Sequence, residues 1–210
     1  MNDATPPDAS PAPGPSAPGA APPHGPRHVV VFSGHRVDVP GRTPPRFPAV
    51  KARPAGVAIA RTLDGLGIGA SDLALTQGSS GGDLLFAEAC LDRGARLRLM
   101  LPGPEAAFIE ESVRASQDGD QWVRRYEAIR AALAAPPQVL PDAKGLGHGA
   151  RFASCNRWLI DAGLSHGPER ARFLCLWDGG PSGGAGGTAD FVAEVRHRGL
   201  PLVWLDARLL

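Results

Sequence analysis

Three apolar runs in this chain each stop at glycine and hand over to a helical pattern, and this alternation limits the fold more than any other feature. HVVVFS at 28–33 ends at Gly34, DLALTQ at 72–77 runs into GSSGG, and FLCLW at 173–177 runs into DGGPSGGAGG. Short β-branched and aromatic runs without polar alternation suit strands buried on both faces, as in a parallel sheet. Helical patterns follow at 49–66, 83–93, 105–115, 121–134, 150–163 and 188–198, with further strands at 96–101, 138–140 and 202–205. The clearest helix carries Leu84, Leu85, Ala87, Cys90 and Leu91 and is stopped by Gly94. Strand and helix in turn predict an α/β fold: a three-layer open sheet, mostly parallel, in a single domain at 27–210.

Composition separates the first 26 residues from that domain. They hold nine of the 22 prolines and no Val, Ile, Leu, Phe or Trp, so the segment reads as a disordered, partly extended Pro/Ala/Gly-rich leader. It lacks the charged start and apolar run of a signal peptide, and no stretch approaches the ~18 apolar residues that cross a bilayer. The expected setting is cytoplasmic, away from membrane. Cys90, Cys155 and Cys175 are odd in number and widely spaced, which argues for core thiols in a reducing compartment rather than a disulfide framework or a metal site. A formal net charge of +1 offers no global field for a polyanion, so no nucleic-acid partner is expected.

The chemistry is expected just after the strands, because open parallel sheets bind ligands at their carboxyl ends. The first loop, 33–48, is long and holds Ser33, Gly34, His35, Arg36, Asp38, Arg42 and Arg46. Arginine forks suit phosphate or carboxylate, and Ser33–Gly34 lets backbone N–H groups come close. The second loop, Gly78, Ser79, Ser80, Gly81, Gly82 and Asp83, opens a helix whose first N–H groups offer an anion site. Asp83 either caps that helix or faces the ligand. The third loop, from Asp178 through Gly186, Gly187 and Thr188 to Phe191, has six glycines in fourteen residues. That backbone entropy cost has a reason where a ligand passes close to the main chain. Thr188 either caps the next helix or offers its hydroxyl to a phosphate. Asn156, polar within an apolar helix, needs a partner from ligand or backbone. No Ser-His-Asp order and no metal-ligand motif is visible, and no cofactor is indicated.

Taken together, VVVFSGHR, TQGSSGGDLLFAEACLDRGARLRLMLP and LWDGGPSGGAGGTADFV resemble the SLOG superfamily, which groups Lonely Guy-type phosphoribohydrolases with DNA-processing protein A and nucleotide-sensing relatives. The long second segment looks most like bacterial SLOG domains akin to the cytosolic region of TRPM channels. The resemblance implies a Rossmann-like sheet that binds a nucleotide or nucleotide-derived ligand at these three loops. It also implies an effector protein or a second copy of the chain as partner. Lonely Guy enzymes carry PGGxGTxxE, whose glutamate takes part in cleaving the N-glycosidic bond. Here Gly187–Thr188 aligns with GT, and the glutamate position falls on Phe191. The reading is therefore a sensor of a purine nucleotide, a cyclic nucleotide or an ADP-ribose-like ligand. The alternative is a phosphoribohydrolase that draws its carboxylate from Asp190, Glu88, Asp178 or Asp38.

Overall fold

The computed structural model describes residues 25–181 and 185–210. The leader up to residue 24 and residues 182–184 of the third loop, both subjects of expectations above, lie outside the described residues. The strands are β1 (Val29–Gly34), β2 (Leu73–Thr76), β3 (Arg96–Leu101), β4 (Gln138–Val139), β5 (Ala171–Trp177) and β6 (Leu202–Asp206). They form one six-stranded sheet in the order β4-β3-β2-β1-β5-β6, with every pairing parallel. The sheet is Rossmann-like, and its strand order reverses at β1. From there the chain proceeds through β2, β3 and β4 on one side, and resumes at β5 and β6 on the other. The crevice that such a reversal opens lies above the carboxyl ends of β1 and β5.

Helices cover both faces, which is why the strands read as unbroken apolar runs. On one face lie α1 (Ala52–Gly65), α2 (Gly82–Leu91) and α4 (Gly119–Ala132); on the other lie α5 (His148–Leu164) and α6 (Thr188–His197). The residues of β1 alternate between the two. Val30 and Phe32 enter a core with Ile59, Leu63, Phe86 and Leu99, while Val29 and Val31 enter a second core with Leu159, Ile160, Phe173 and Phe191. Phe32 stacks on Phe86 with ring centres 4.6 Å apart. Each such buried side chain contributes roughly 1.5–3 kcal/mol. Helix α2 has eight of its ten residues buried, because α1 and α4 enclose it against the sheet. That position explains why it is apolar nearly all round.

Two elements depart from the sequence reading. The helix expected from residue 49 opens with a 3-10 turn, Ala49–Lys51, before α1 begins. The helix expected at 105–115 is instead a short α3 (Glu105–Phe108) that widens into a π-helical segment, Ile109–Arg114. Such wide turns recur beside functional sites, and this one borders the crevice. Among the described residues no helix is long and apolar enough to cross a membrane.

Candidate functional site

A cavity of about 320 Å³ opens above the carboxyl end of the sheet, and all three loops reach it. From the first loop it takes Ser33, Gly34, His35, Arg36, Arg42 and Arg46; from the second, Ser79 and Asp83; from the third, Gly186, Gly187 and Thr188. Three segments spread over more than 150 positions of sequence thus meet where the strand order reverses.

The first loop holds its shape through Asp38. This buried carboxylate accepts the backbone N–H groups of Arg46 and Phe47 at 2.8 and 2.9 Å, and its own N–H donates to the Phe47 carbonyl. Its other oxygen pairs with Arg42 Nε at 3.3 Å. Asp38 is therefore the clasp of the loop, and it presents three guanidinium groups to one cavity. Arg36 donates to the Glu111 carbonyl at 2.6 Å, and neither Arg36 nor Arg46 forms a salt bridge among the described residues. Arg46 Nε is buried with no hydrogen-bond partner. Burial, and then the neighbouring arginines, push both guanidinium groups below their ordinary pKa. At Arg46 the nearby charges of Asp178 and Asp38 offset this only in part, and an incoming anion would relieve it further.

In the second loop the protein's own carbonyls take N–H groups of the first turn of α2: that of Gly82 goes to His35 at 2.9 Å and that of Leu84 to Ser79 at 3.3 Å. Asp83 is 4 % exposed; its two oxygens accept the N–H groups of Gly34 at 2.9 Å and Ser79 at 3.2 Å. It does not cap α2, since the N-cap residue is Gly81 and no side chain bonds there. Burial pushes its carboxyl up to about 6, against the stabilising N–H groups of Gly34 and Ser79. Gly78, Ser80, Gly81 and Gly82 stand behind this wall and do not reach the cavity. Ser80 is fully buried, with its hydroxyl on that of Ser116. Gly81 has φ +87, and a Cβ there would meet the His35 carbonyl at 2.8 Å. These glycines serve close backbone packing, and of the second loop Ser79 and Asp83 line the cavity.

The third loop is braced from below. Asn156 is 2 % exposed; its Nδ2 donates to the carbonyls of Gly186 and Gly187 at 3.2 and 3.3 Å, and its Oδ1 accepts Gln77 Nε2 at 2.8 Å. The backbone supplies the partner that a buried amide requires. Gly186 has φ +91, and a Cβ on it would stand 2.2 Å from Phe152 Cβ. Its conformational freedom and its missing side chain both serve the contact with α5. Gly187 is the N-cap of α6, so Thr188 is the first helical residue and its hydroxyl is left to the cavity.

The remaining candidate carboxylates are occupied. Glu88 lies away from the cavity in an ion pair with Arg125 of α4, Nε to Oε1 at 2.7 Å. Asp190 accepts the Gly186 N–H within the loop that precedes its helix. Asp178 accepts the Gly180 N–H at 2.9 Å, and its Oδ1 lies 3.0 Å from His35 Nε2. Burial raises its pKa, but those two partners prevail and hold it below the usual carboxylate range. His35 is pushed the other way, down, by burial and then by Arg46. The neutral ring either accepts the Asp178 N–H at 3.0 Å or donates to its carboxylate, according to which nitrogen carries the proton.

The far wall was not anticipated from the sequence. Ser112 of the π-helical segment and His148 and Phe152 of α5 line it, with the His148 and Phe152 rings 4.7 Å apart. The widened turn lends two carbonyls to the site: Glu111 receives Arg36, and Ser112 receives the Ser80 N–H at 3.0 Å. A visible signal existed for α5 only, where a histidine and an aromatic residue stand four apart at a helix start. Gln77 was missed as well, although it is the last residue before GSSGG. All three cysteines are buried, and burial raises each thiol, that of Cys175 to about 12. Among the described residues no three His, Cys, Asp or Glu side chains gather as a metal cluster.

No family model and no curated protein matches this chain. Two solved structures are similar to it in fold. The structural-genomics protein TM1055 has a TM-score of 0.44 at 18% identity, over 83% of this chain and 72% of its own. DNA processing protein A from Streptococcus pneumoniae has a TM-score of 0.38 at 13% identity, over 84% of this chain and 58% of its own. Both are likenesses of fold at low identity.

Proposed function

We propose that this protein is a SLOG-type sensor domain that binds a nucleotide or nucleotide-derived ligand without cleaving it. One observation carries the reading: Arg36 and Arg46 face a single cavity at the switch point of the sheet, and neither is in a salt bridge among the described residues. A phosphate there would add counter-charge through charge-assisted hydrogen bonds. The His148 and Phe152 rings, tilted 41° to each other, offer an aromatic face for a base.

Cleavage of an N-glycosidic bond needs a carboxylate free to stabilise an oxocarbenium-like centre or to activate water. Asp38, Asp83, Asp178, Asp190 and Glu88 are each held by other groups, and Phe191 is fully buried in the second core. These contacts support binding without turnover. Titration calorimetry with nucleoside monophosphates, cyclic nucleotides and ADP-ribose tests the first half. Arg36→Ala and Arg46→Ala should each weaken binding by ~1.5–3 kcal/mol. Chromatography of the same mixtures for free base tests the second half, and sustained release of base would refute the sensor reading.

A further inference from the structure

Gln77 sits at the end of β2 with 6 % of its surface exposed, and it lines the cavity. Its amide cannot choose its own orientation. The carbonyls of Gly186 and Gly187 only accept, so the Asn156 amide must turn its NH₂ toward them. Asn156 Oδ1 then faces Gln77, which must answer with its own NH₂, as the 2.8 Å contact records. Gln77 Oε1 is the end left over, and it has no hydrogen-bond partner among the described residues. Two buried hydroxyls line the same cavity, those of Ser33 and Thr188, at 9 % and 8 % residue exposure, and neither is engaged by a described group. A pinned acceptor that shares a cavity with two hydroxyls able to donate and accept is poorly matched to an apolar or purely anionic ligand. It fits a polyol.

The geometry points to a specificity role for Gln77. Its Oε1, with Ser33 and Thr188, recognises the hydroxyl groups of a pentose whose phosphate lies on Arg36 and Arg46. The ligand class is thus a phosphorylated pentose, free or carrying a base. This deepens the nucleotide reading and rests on it. A base amine could satisfy Gln77 alone, whereas vicinal sugar hydroxyls can satisfy all three groups.

The test is calorimetric titration of the full chain with inorganic phosphate, n-propyl phosphate and ribose 5-phosphate. The unsubstituted protein should bind ribose 5-phosphate about tenfold or more tightly than n-propyl phosphate, as one or more net hydrogen bonds would give. Gln77→Met should abolish most of that preference, read as the ratio of the two affinities, since the variant also strips Asn156 Oδ1 of its donor and bears on both esters alike. Equal affinities for the two esters in the unsubstituted protein would overturn the proposal, as would a Gln77→Met variant that keeps the preference. If Gln77→Met does not fold, the comparison of the two esters on the unsubstituted protein decides alone. Binding of the esters with no preference between them removes the sugar recognition and leaves the phosphate site. Failure of all three phosphates to bind overturns the nucleotide reading as well. Adenosine 5′-monophosphate then separates the sources of the sugar: a further gain over ribose 5-phosphate assigns a base contact, and no gain assigns the free sugar phosphate.

Discussion

The backbones of Gly34 and Gly82 lie so close that a Cβ built on either would stand 2.8 Å from the other's Cα. This contact is the seam between the first and second loops, and it sets how near β1 and α2 bring their ends. The Gly82 N–H also donates to the His35 carbonyl at 2.9 Å, so the seam is bonded as well as packed. No side chain can be added there without moving main chain. Gly82→Val should therefore destabilise the fold by more than ~2 kcal/mol, in the manner of an overpacked core. Chemical denaturation of the variant checks it. An unchanged midpoint would mean that the seam opens at little cost.

The same seam shows how far the sequence could be read. Buried strands, the helices between them and the three loops were legible because each is a local pattern: an apolar run, a helical period, a cluster of glycines. Convergence of the loops was legible too, since parallel strands put their carboxyl ends together. What each loop residue touches was not. Gly81 and Gly82 look like a ligand cradle in sequence and are a packing seam in space, because their partner is Gly34–Val37, some 45 residues earlier. The wall from Ser112, His148 and Phe152 depends on a π-helical widening that no local pattern announces. Gln77 gains its meaning only through Asn156, 79 positions away.

Asp38 should matter to both stability and binding. Asp38→Ala strips acceptors from the N–H groups of Arg46 and Phe47 and removes the partner of Arg42. The expected loss is about 1–3 kcal/mol of stability, the usual penalty for buried donors left unsatisfied. Binding of inorganic phosphate should weaken as well, because the loop that carries Arg42 and Arg46 loses its clasp. Thermal melting and calorimetry on one preparation separate the two effects. A variant that melts lower and binds phosphate as tightly as before would show that the arginines are positioned by other contacts.

Asp83 supplies a pH signature. Burial raises its carboxyl from 3.8 in the unfolded chain to about 6 in the folded protein, so between those values the folded state holds the extra proton. Its contribution to stability is complete below the unfolded value and is lost as pH rises through about 6. Asp83→Asn removes the titration while keeping one acceptor oxygen for Gly34 or Ser79. Between about pH 4 and pH 7 the unsubstituted protein should lose stability relative to the Asn variant, by something on the order of 2–3 kcal/mol. Parallel stability curves across that window would show that the proton is bound no more tightly in the folded state.

Phe191 occupies the position where the resemblance to Lonely Guy enzymes places a catalytic glutamate, and its side chain is fully buried beside Val31, Ile160 and Phe173. Restoring the carboxylate does not restore an active site, because Phe191, one turn further along the same side of α6, is packed in the second core while Thr188 lines the cavity. Phe191→Glu loses the packing of an aromatic ring and places a carboxyl among apolar groups, two costs that together should exceed ~4 kcal/mol. The expected outcome is a protein that unfolds far more readily and releases no base from nucleoside monophosphates. Phe191→Leu, which keeps the site apolar, should fold and retain nucleotide affinity, so that the carboxylate and not the lost ring accounts for most of the damage. A stable Phe191→Glu protein that liberated free base would place the glutamate in the cavity and return the chain to the hydrolases.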